Sequence, residues 1–207
     1  MGSVFIHPTR RRLLQGALGA AGVAALPAPN SARAKPLEKV LRYAFRIAET
    51  GFDPAQISDL YSRIITSNIF DAPLEYDYLA RPYKLRPNTA AAMPEVSADY
   101  KTYTVRLRPG IFFDDDPAFK GRKRELTAHD YVYSLKRHYD PRSKSPNLYL
   151  LENAKIFGLS ELRRRTLDSK QPFDYDREVE GLRALDRYTF QVRCAEPQPR
   201  LAHVVLG

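Results

Sequence analysis

The sequence contains only one cysteine, Cys194. A single cysteine cannot form an internal disulfide, so a disulfide framework is excluded even in an oxidising compartment. Cys194 also lies far from the N-terminal region, where an exported lipoprotein carries its acylated cysteine. Because it occupies an inward position of a predicted strand, we expect Cys194 to be a small buried core residue rather than a nucleophile.

Catalytic and metal-binding motifs are missing as well. Gly158-Leu159-Ser160 lacks the second glycine of a nucleophile elbow, and the sequence contains no glycine-rich phosphate loop. His129 and His138 lack the spacing of a helical zinc site, and Asp114-Asp115-Asp116 lacks the spaced ligands and the glycine of a calcium loop. We therefore expect residues 114–116 to form a solvated turn. We also expect that the protein is not an enzyme and that it has no metal and no cofactor.

No apolar run in the sequence is long enough to span a membrane. The run from Leu13 to Leu26 is shorter than the about 20 residues that a membrane-spanning helix requires. It follows Arg10-Arg11-Arg12 and precedes Ala32-Arg33-Ala34, which is the order of a cleavable export signal. We therefore predict a signal peptide over residues 1–34, cleaved after Ala34, and a soluble periplasmic protein.

Nearly half of the net positive charge belongs to this predicted signal peptide. Residues 1–34 contain four arginines and no acidic residue, so their removal would lower the formal net charge from +9 to +5. The segment from Thr9 to Gln15 resembles the twin-arginine export motif, with general secretion as the alternative route. The clusters Lys120 to Arg124 and Arg163 to Arg165 are typical of solvated loop and helix surfaces. We therefore do not expect a partner nucleic acid.

The predicted mature chain begins with a strand and a helix. Val40 to Ala48 alternates, with Leu41, Tyr43, Phe45 and Ile47 on one side, which predicts a strand with one buried face. After Asp53-Pro54, apolar residues recur at the spacing of one helical face, which predicts an amphipathic helix that ends before Pro73. Ser62 and Thr66 fall on its predicted outer face, and its predicted inner face comprises Ile57, Leu60, Tyr61, Ile64, Ile65 and Ile69.

Prolines dominate the next stretch. Because proline interrupts both helices and sheets, we expect only a connector without long regular elements here, with prolines at 73, 82, 87 and 94. Thr102 to Leu107 then alternates as a strand that is exposed on one side. Arg108-Pro109-Gly110 is predicted to turn this strand into a second short strand over Ile111 to Phe113.

Further elements are predicted in the second half of the chain. Thr127 and Asp130 form the capping box of a helix that ends at Asp140-Pro141, with an inner face of Ala128, Tyr131, Val132, Leu135 and Tyr139. A second helical stretch is predicted from Leu148 to Arg165. Tyr188 to Cys194 alternates as a strand with one inward face. The chain stops at Gly207, a few residues into an apolar run, so we expect it to be the N-terminal part of a longer protein.

Four blocks in this order resemble the extracellular solute-binding proteins of the peptide/nickel class, family 5, which serve ABC importers. The opening block is Phe52-Asp53-Pro54 with the helix into Ile69-Phe70-Asp71. A hairpin block follows at Tyr103 to Ile111, and a helix block at Leu126 to Arg137. The last block runs from Ala184 to Phe190 and on to Glu196-Pro197-Gln198-Pro199. The blocks together span nearly the whole predicted mature chain.

The resemblance implies a mixed α/β (α+β) fold of the type II-like periplasmic-binding-protein kind. In that family two lobes close on the ligand, and the first lobe is interrupted by an extra domain. By resemblance, residues 35–72 are the first segment of lobe I, and residues 73–207 are most of the extra domain, truncated at its C-terminal end. The second lobe, which usually fixes the termini of a peptide, is not expected within this sequence.

The resemblance also implies two ligand-contacting segments. One precedes and begins the first predicted helix and comprises Gln56, Ile57, Ser58, Asp59 and Leu60. The other follows Ser145-Pro146 and includes Asn147 and Tyr149. An aromatic residue commonly follows that Ser-Pro pair in the oligopeptide binders of the family, whereas Asn147 follows it here. For Ile57 and Leu60, packing in the core is the alternative to ligand contact, because the helical pattern already explains them.

The function implied by the resemblance is that of a monomeric substrate-binding subunit of an ABC importer. Its expected partners are a small peptide-like solute and the ABC permease membrane subunits. Two alternatives stay open from the sequence. In the first alternative, the chain is a non-functional remnant or one half of a split gene, and it acts at most as an interaction fragment. In the second, it is a secreted basic protein that binds polyanions.

Overall fold

The computed structural model describes residues 39–207. Residues 45–207 form one compact unit, and it contains every helix and strand of the described part. The five α-helices are α1 Leu60–Thr66, α2 Ala128–Tyr139, α3 Leu148–Asn153, α4 Leu159–Ser169 and α5 Leu201–Val204, and two short 3-10 helices lie at Pro117–Phe119 and Pro141–Ser143. The six strands are β1 Leu74–Tyr76, β2 Leu85–Pro87, β3 Glu95–Val96, β4 Thr102–Arg106, β5 Leu182–Ala184 and β6 Thr189–Arg193. The predicted signal peptide at 1–34 lies outside the described residues.

The core is built on an antiparallel sheet in the order β3-β4-β6-β5. Tyr103 pairs with Val192 and Val105 with Phe190, so the inward positions of the two central strands face the same side. These four side chains and Cys194 are buried. The strand predictions for β4 and β6 are therefore confirmed, as is the buried position of Cys194. β3 and β5, each of two or three residues, were not predicted.

Helix α2 packs across this sheet, as its pattern predicts. It begins at the predicted capping box of Thr127 and Asp130 and ends at Tyr139, before Asp140-Pro141. Its inner face includes buried Ala128, Val132 and Tyr139, and the Tyr139 hydroxyl donates to the Leu151 carbonyl at 2.9 Å. The buried lysine of this helix, Lys136, was not predicted.

The single helix predicted from Leu148 to Arg165 is wrong, because the structure has two helices, α3 and α4. The chain between them follows the end of β6: Ile156 forms a bridge with Cys194, and the Phe157 amide donates to the Arg193 carbonyl at 3.0 Å. Gly158 adopts a φ of +80°, in the left-handed region that glycine tolerates. These sheet contacts use backbone groups that a continuous helix would have bonded internally.

The predicted strand from Val40 to Ala48 does not form. Leu41, Tyr43 and Ile47 are exposed, and no strand of the described residues pairs with this segment. An alternating pattern becomes a strand only where a neighbouring strand supplies hydrogen-bonding partners. The second strand predicted at Ile111 to Phe113 is likewise reduced to one bridge between Phe112 and Glu125.

Helix α1 is shorter than predicted, and its fully buried residues lie on the predicted outer face, while the predicted inner face is half-buried or exposed within the helix. Ser62 and Thr66 are buried, whereas Leu60 and Ile69 are 66% and 58% exposed. The Ser62 hydroxyl accepts from the Thr50 amide at 2.9 Å, so the preceding chain covers the polar side of the helix. Periodicity shows that a helix has two faces, but the burial of each face depends on what packs against it.

The proline-rich stretch is more ordered than the connector that was predicted. Leu74 pairs with Pro87, and the antiparallel strands β1 and β2 form a separate two-stranded sheet. The Leu74 amide donates to the Leu206 carbonyl at 2.9 Å, and both side chains are buried. The hairpin is thus joined to the segment that includes α5.

Candidate functional site

The structure brings the two predicted ligand-contacting segments together. Asn147 of the second segment contacts the first, because its side-chain nitrogen Nδ2 donates to the Ile57 carbonyl at 3.4 Å. Its amide oxygen accepts from Nη2 of Arg63 at 2.9 Å. These bonds join residues that are 90 and 84 positions apart in the sequence. We call the surface formed by residues 53–63 and 137–149 the seam.

An ion pair fixes the first side of the seam to the end of α2. Arg137 donates from Nη1 and Nη2 to the two carboxylate oxygens of Asp53 at 2.8 and 2.6 Å. The Asp53 carboxylate also accepts from the Ala55 amide at 3.1 Å, which shapes the turn that leads to residues 56–60. Partial burial raises the pKa of Asp53, but the hydrogen bonds from Arg137 and Ala55 outweigh it, so the pKa is lowered from 3.8.

Asp59, a predicted ligand contact, also caps the N-terminus of helix α1. It is the N-cap of α1, and its carboxylate accepts from the Ser62 amide at 2.8 Å. The Thr50 hydroxyl donates to the same carboxylate. The hydrogen bonds from Ser62 and Thr50 lower the pKa of Asp59 to about 2. The carboxylate is therefore ionised and already hydrogen-bonded within the chain.

A histidine and a serine shape the second side of the seam. His138 Nδ1 is hydrogen-bonded to the Ser145 hydroxyl at 2.8 Å, and the same hydroxyl accepts from the Asn147 amide at 3.3 Å. Burial lowers the pKa of His138 below 6.5, and the neighbouring positive charge of Arg137 lowers it further. A neutral imidazole therefore supports the turn that presents Asn147.

The predicted site residues differ widely in exposure. Gln56 and Ser58 are exposed, and Leu60 and Tyr149 are exposed by 66% and 59%. Ile57 is buried at 5% exposure, in agreement with its alternative as a packing residue, and Asn147 is half-buried. The exposed side chains can meet a ligand directly, whereas Ile57 and Asn147 hold the two segments together.

Sequence reasoning missed the charged residues that organise the seam. Arg63, Arg137 and His138 lie on predicted helices, but their partners are supplied by distant segments or by the following turn. The Phe52-Asp53-Pro54 block and the helix block that contains Arg137 are two separate motifs in the sequence. No local pattern indicated that they would meet.

The seam is an open surface. Two surface cavities, of about 370 and 150 Å³, include the seam residues Asp140 to Arg142 and His138, respectively, in their lining, but none of the predicted site residues. Within residues 39–207, no group of three or more His, Cys, Asp or Glu side chains could hold a metal ion. No helix in that range is long and apolar enough to cross a membrane.

The family model of the bacterial extracellular solute-binding proteins, family 5 middle region, matches residues 84–207. That range contains α2, the second side of the seam and all four strands of the main sheet. It therefore covers the part of the sequence in which three of the four resembling blocks were recognised.

Three comparisons illustrate the likeness. The periplasmic oligopeptide-binding protein OppA of Escherichia coli is 29% identical over 71% of this chain and 23% of its own length. Di/tripeptide-binding protein 2 of Pseudomonas aeruginosa is 35% identical over 53% of this chain and 20% of its own length. The crystal structure of Haemophilus influenzae OppA with the peptide RPPGFSPFR matches with a TM-score of 0.59 at 24% identity, over 76% of this chain and 27% of that one.

These matches show what share of its relatives the chain covers and which fold it resembles. The chain spans about a quarter of the length of the curated relatives it matches. The structural likeness supports the predicted mixed α/β fold of the type II-like periplasmic binding proteins, over about three quarters of the chain.

Proposed function

Because the chain belongs to the bacterial extracellular solute-binding proteins of family 5, we propose that the protein is the periplasmic solute-binding subunit of an ABC importer. Its solutes are peptides or similar small molecules. The observation that carries this proposal is the seam, where the two segments predicted to contact ligand are bonded to each other through Asn147. The relatives named above as oligopeptide-binding and di/tripeptide-binding proteins support the solute class.

The domain assignment is part of the same proposal. Residues 35–72 are the first segment of lobe I, and residues 73–207 belong to the extra domain. The remaining lobe of the full-length protein closes over the seam when a solute bridges the two. A solute that contacts both lobes favours the closed form by its differential affinity, and the closed form is the one that the permease accepts.

Export and assembly follow from the proposed role. A signal peptide over residues 1–34 directs the protein to the periplasm and is removed after Ala34. The mature protein acts as a monomer, and its partners are the solute and the membrane subunits of the importer. The binding surface comprises Gln56, Ser58, Leu60 and Tyr149, with Ile57, Asp59 and Asn147 holding it in shape.

Calorimetric titration of the full-length protein with a panel of di- to nonapeptides tests the proposal. We expect saturable binding by the full-length protein and none by residues 35–207 alone, because that part offers one side of the site only. The double variant Leu60→Ser, Tyr149→Ser should weaken binding, whereas Leu79→Ser, an exposed leucine between β1 and β2, should not. Absence of binding by the full-length protein to every member of the panel would overturn the proposal.

A further inference from the structure

Most charged groups of the seam are compensated within the chain. Asp53 is paired with Arg137, and the carboxylate of Asp59 accepts from Ser62 and Thr50. His138 is hydrogen-bonded to Ser145 and stays neutral near pH 7 because its pKa is lowered. Every one of these groups therefore already has its partner before a solute arrives.

The exceptions are Lys144 and Arg63, which form no ion pair within residues 39–207, and of the two only Arg63 bonds a predicted site residue through its side chain. The Arg63 side chain is exposed, and its one hydrogen bond to a described residue is the bond from Nη2 to the Asn147 amide oxygen. No carboxylate within residues 39–207 forms an ion pair with it. A guanidinium carries five N–H donors in a planar fork, so four donors and the full positive charge remain available at the seam.

Asn147 holds this guanidinium in place without neutralising it. Both ends of the Asn147 amide are used, because the nitrogen donates to Ile57 while the oxygen accepts from Arg63. An aspartate at the same position would have formed an ion pair with Arg63. The amide instead fixes the orientation of Arg63 and leaves its charge for another group.

Two exposed apolar side chains belong to the elements that carry Arg63 and its partner Asn147. Leu60 lies three residues earlier on α1, on the same face of the helix, and it is exposed. Tyr149, two residues after Asn147, is exposed as well. A cation flanked by exposed apolar side chains suits a ligand that presents an anionic group next to apolar groups.

We propose that Arg63 binds a carboxylate of the solute and that Asn147 is its positioning residue. The inference rests on the proposed function and adds a charge requirement to it. A carboxylate matches the planar fork of a guanidinium and can accept two parallel hydrogen bonds from it. The carboxylate is either an acidic side chain or the C-terminus of a peptide, since both present the same group, and the second case would depart from the family resemblance, in which the second lobe fixes the termini.

The test compares peptides that differ in one carboxylate. Calorimetric affinities of the full-length protein are measured for a peptide that it binds, as the free acid and as the C-terminal amide, each with a neutral or a glutamate side chain. We expect Arg63→Met to weaken binding of the preferred carboxylate form by about tenfold or more and to leave the form without that carboxylate nearly unchanged. The form that loses affinity identifies which carboxylate Arg63 contacts.

Two further variants distinguish the positioning of Arg63 by Asn147 from a general effect of positive charge on peptide binding. Asn147→Asp keeps the size of the side chain but pairs with Arg63, so it should reproduce the loss for the same peptide form. Arg183→Met is the matched control, because Arg183 is exposed on β5 and likewise has no ion pair with a described residue. It should change no affinity. Thermal unfolding of each variant verifies that the fold is retained.

The outcomes distinguish this inference from the proposed function. If the unaltered protein binds peptides and Arg63→Met binds all forms equally well, the role of Arg63 is wrong while the proposed function stands. Equal losses for every peptide form, or an equal loss in Arg183→Met, would also overturn it. If the unaltered protein binds no member of the panel, the proposed function fails and the assignment of Arg63 fails with it.

Discussion

Arg137 donates two hydrogen bonds to Asp53, from Nη1 to Oδ1 at 2.8 Å and from Nη2 to Oδ2 at 2.6 Å, although the two residues are 84 positions apart in the sequence. The pair joins the turn that precedes α1 to the last turn of α2. It therefore links the segment at 56–60 to the helix that carries the opposite side of the seam. Both side chains are about 30% exposed or less, which distinguishes this pair from the more exposed ion pairs of the chain.

Removal of this ion pair should destabilise the fold. We expect Arg137→Met to lower the free energy of unfolding by about 1–2 kcal/mol, between the values for exposed and for buried pairs, because it leaves the half-buried Asp53 unpaired. The matched control is Arg86→Met, whose pair with Glu75 is more exposed and should cost less than about 1 kcal/mol. Urea unfolding measures both, and equal losses would contradict the organising role of Arg137.

His138 should make stability depend on pH. Its pKa in the folded protein is lowered below 6.5, so the unfolded chain binds the proton more readily. Stability should therefore fall as the pH drops from 6.5 through the lowered pKa. His138→Asn, which can keep a hydrogen bond to Ser145, should lose less stability over that range, as measured by urea unfolding at pH 7 and pH 5.

The exposed His129, on the same helix, provides the control for this pH dependence. His129→Asn should retain the full loss of stability between pH 7 and pH 5. If His138→Asn shows the same loss as the unaltered chain, the buried neutral imidazole does not contribute as argued.

The ammonium of Lys136 should stabilise the loop that follows α4. Its Nζ donates to the carbonyls of Tyr175 and Arg177, both at 2.7 Å, and its side chain is buried at 3% exposure. Lys136→Met should lower the free energy of unfolding by about 2 kcal/mol, because two partly buried carbonyls lose their donor. Lys155→Met, which removes an exposed ion pair with Glu196, should cost less than about 1 kcal/mol. Equal effects in chemical unfolding would refute the bridging role.

Gly181 should tolerate no side chain. A Cβ at this position would lie 2.3 Å from the Phe157 amide nitrogen and 2.4 Å from its carbonyl oxygen, so the backbone itself would have to move. We expect Gly181→Ala to cost about 2 kcal/mol or more in thermal or chemical unfolding. Gly51→Ala is the control, since its nearest neighbour, Cγ2 of Ile57, would lie at an ordinary 3.9 Å. A stable Gly181→Ala variant would contradict the close packing of α4's entry against β5.

Elements specified by nearby residues could be predicted from the sequence. Helix α2 carries its start signal, its apolar face and its proline stop within 15 residues, from Thr127 to Pro141. Strands β4 and β6 carry the alternation of a half-buried sheet, and they pair with each other as central strands. In each case the local pattern and the tertiary packing favour the same structure.

The remaining features depend on contacts that no local pattern encodes. The polar side of α1 is buried because Thr50 reaches Ser62, and the alternation at 40–48 gives no strand because no strand of the described part lies beside it in a sheet. The two ligand-contacting segments were predicted by family resemblance. Their bond through Asn147 and the pairing of Asp53 with Arg137 span 84 to 90 positions, so only the folded chain reveals them.

Hydrogen exchange of the two-lobed protein proposed above, with and without a bound peptide, tests the central claim most directly. We predict that peptide slows amide exchange in residues 56–63 and 145–149 together, while the hairpin of β1 and β2, which contains no predicted site residue, exchanges at an unchanged rate. Peptide that binds without slowing exchange in either segment would contradict the assignment of the seam as the solute-contacting surface.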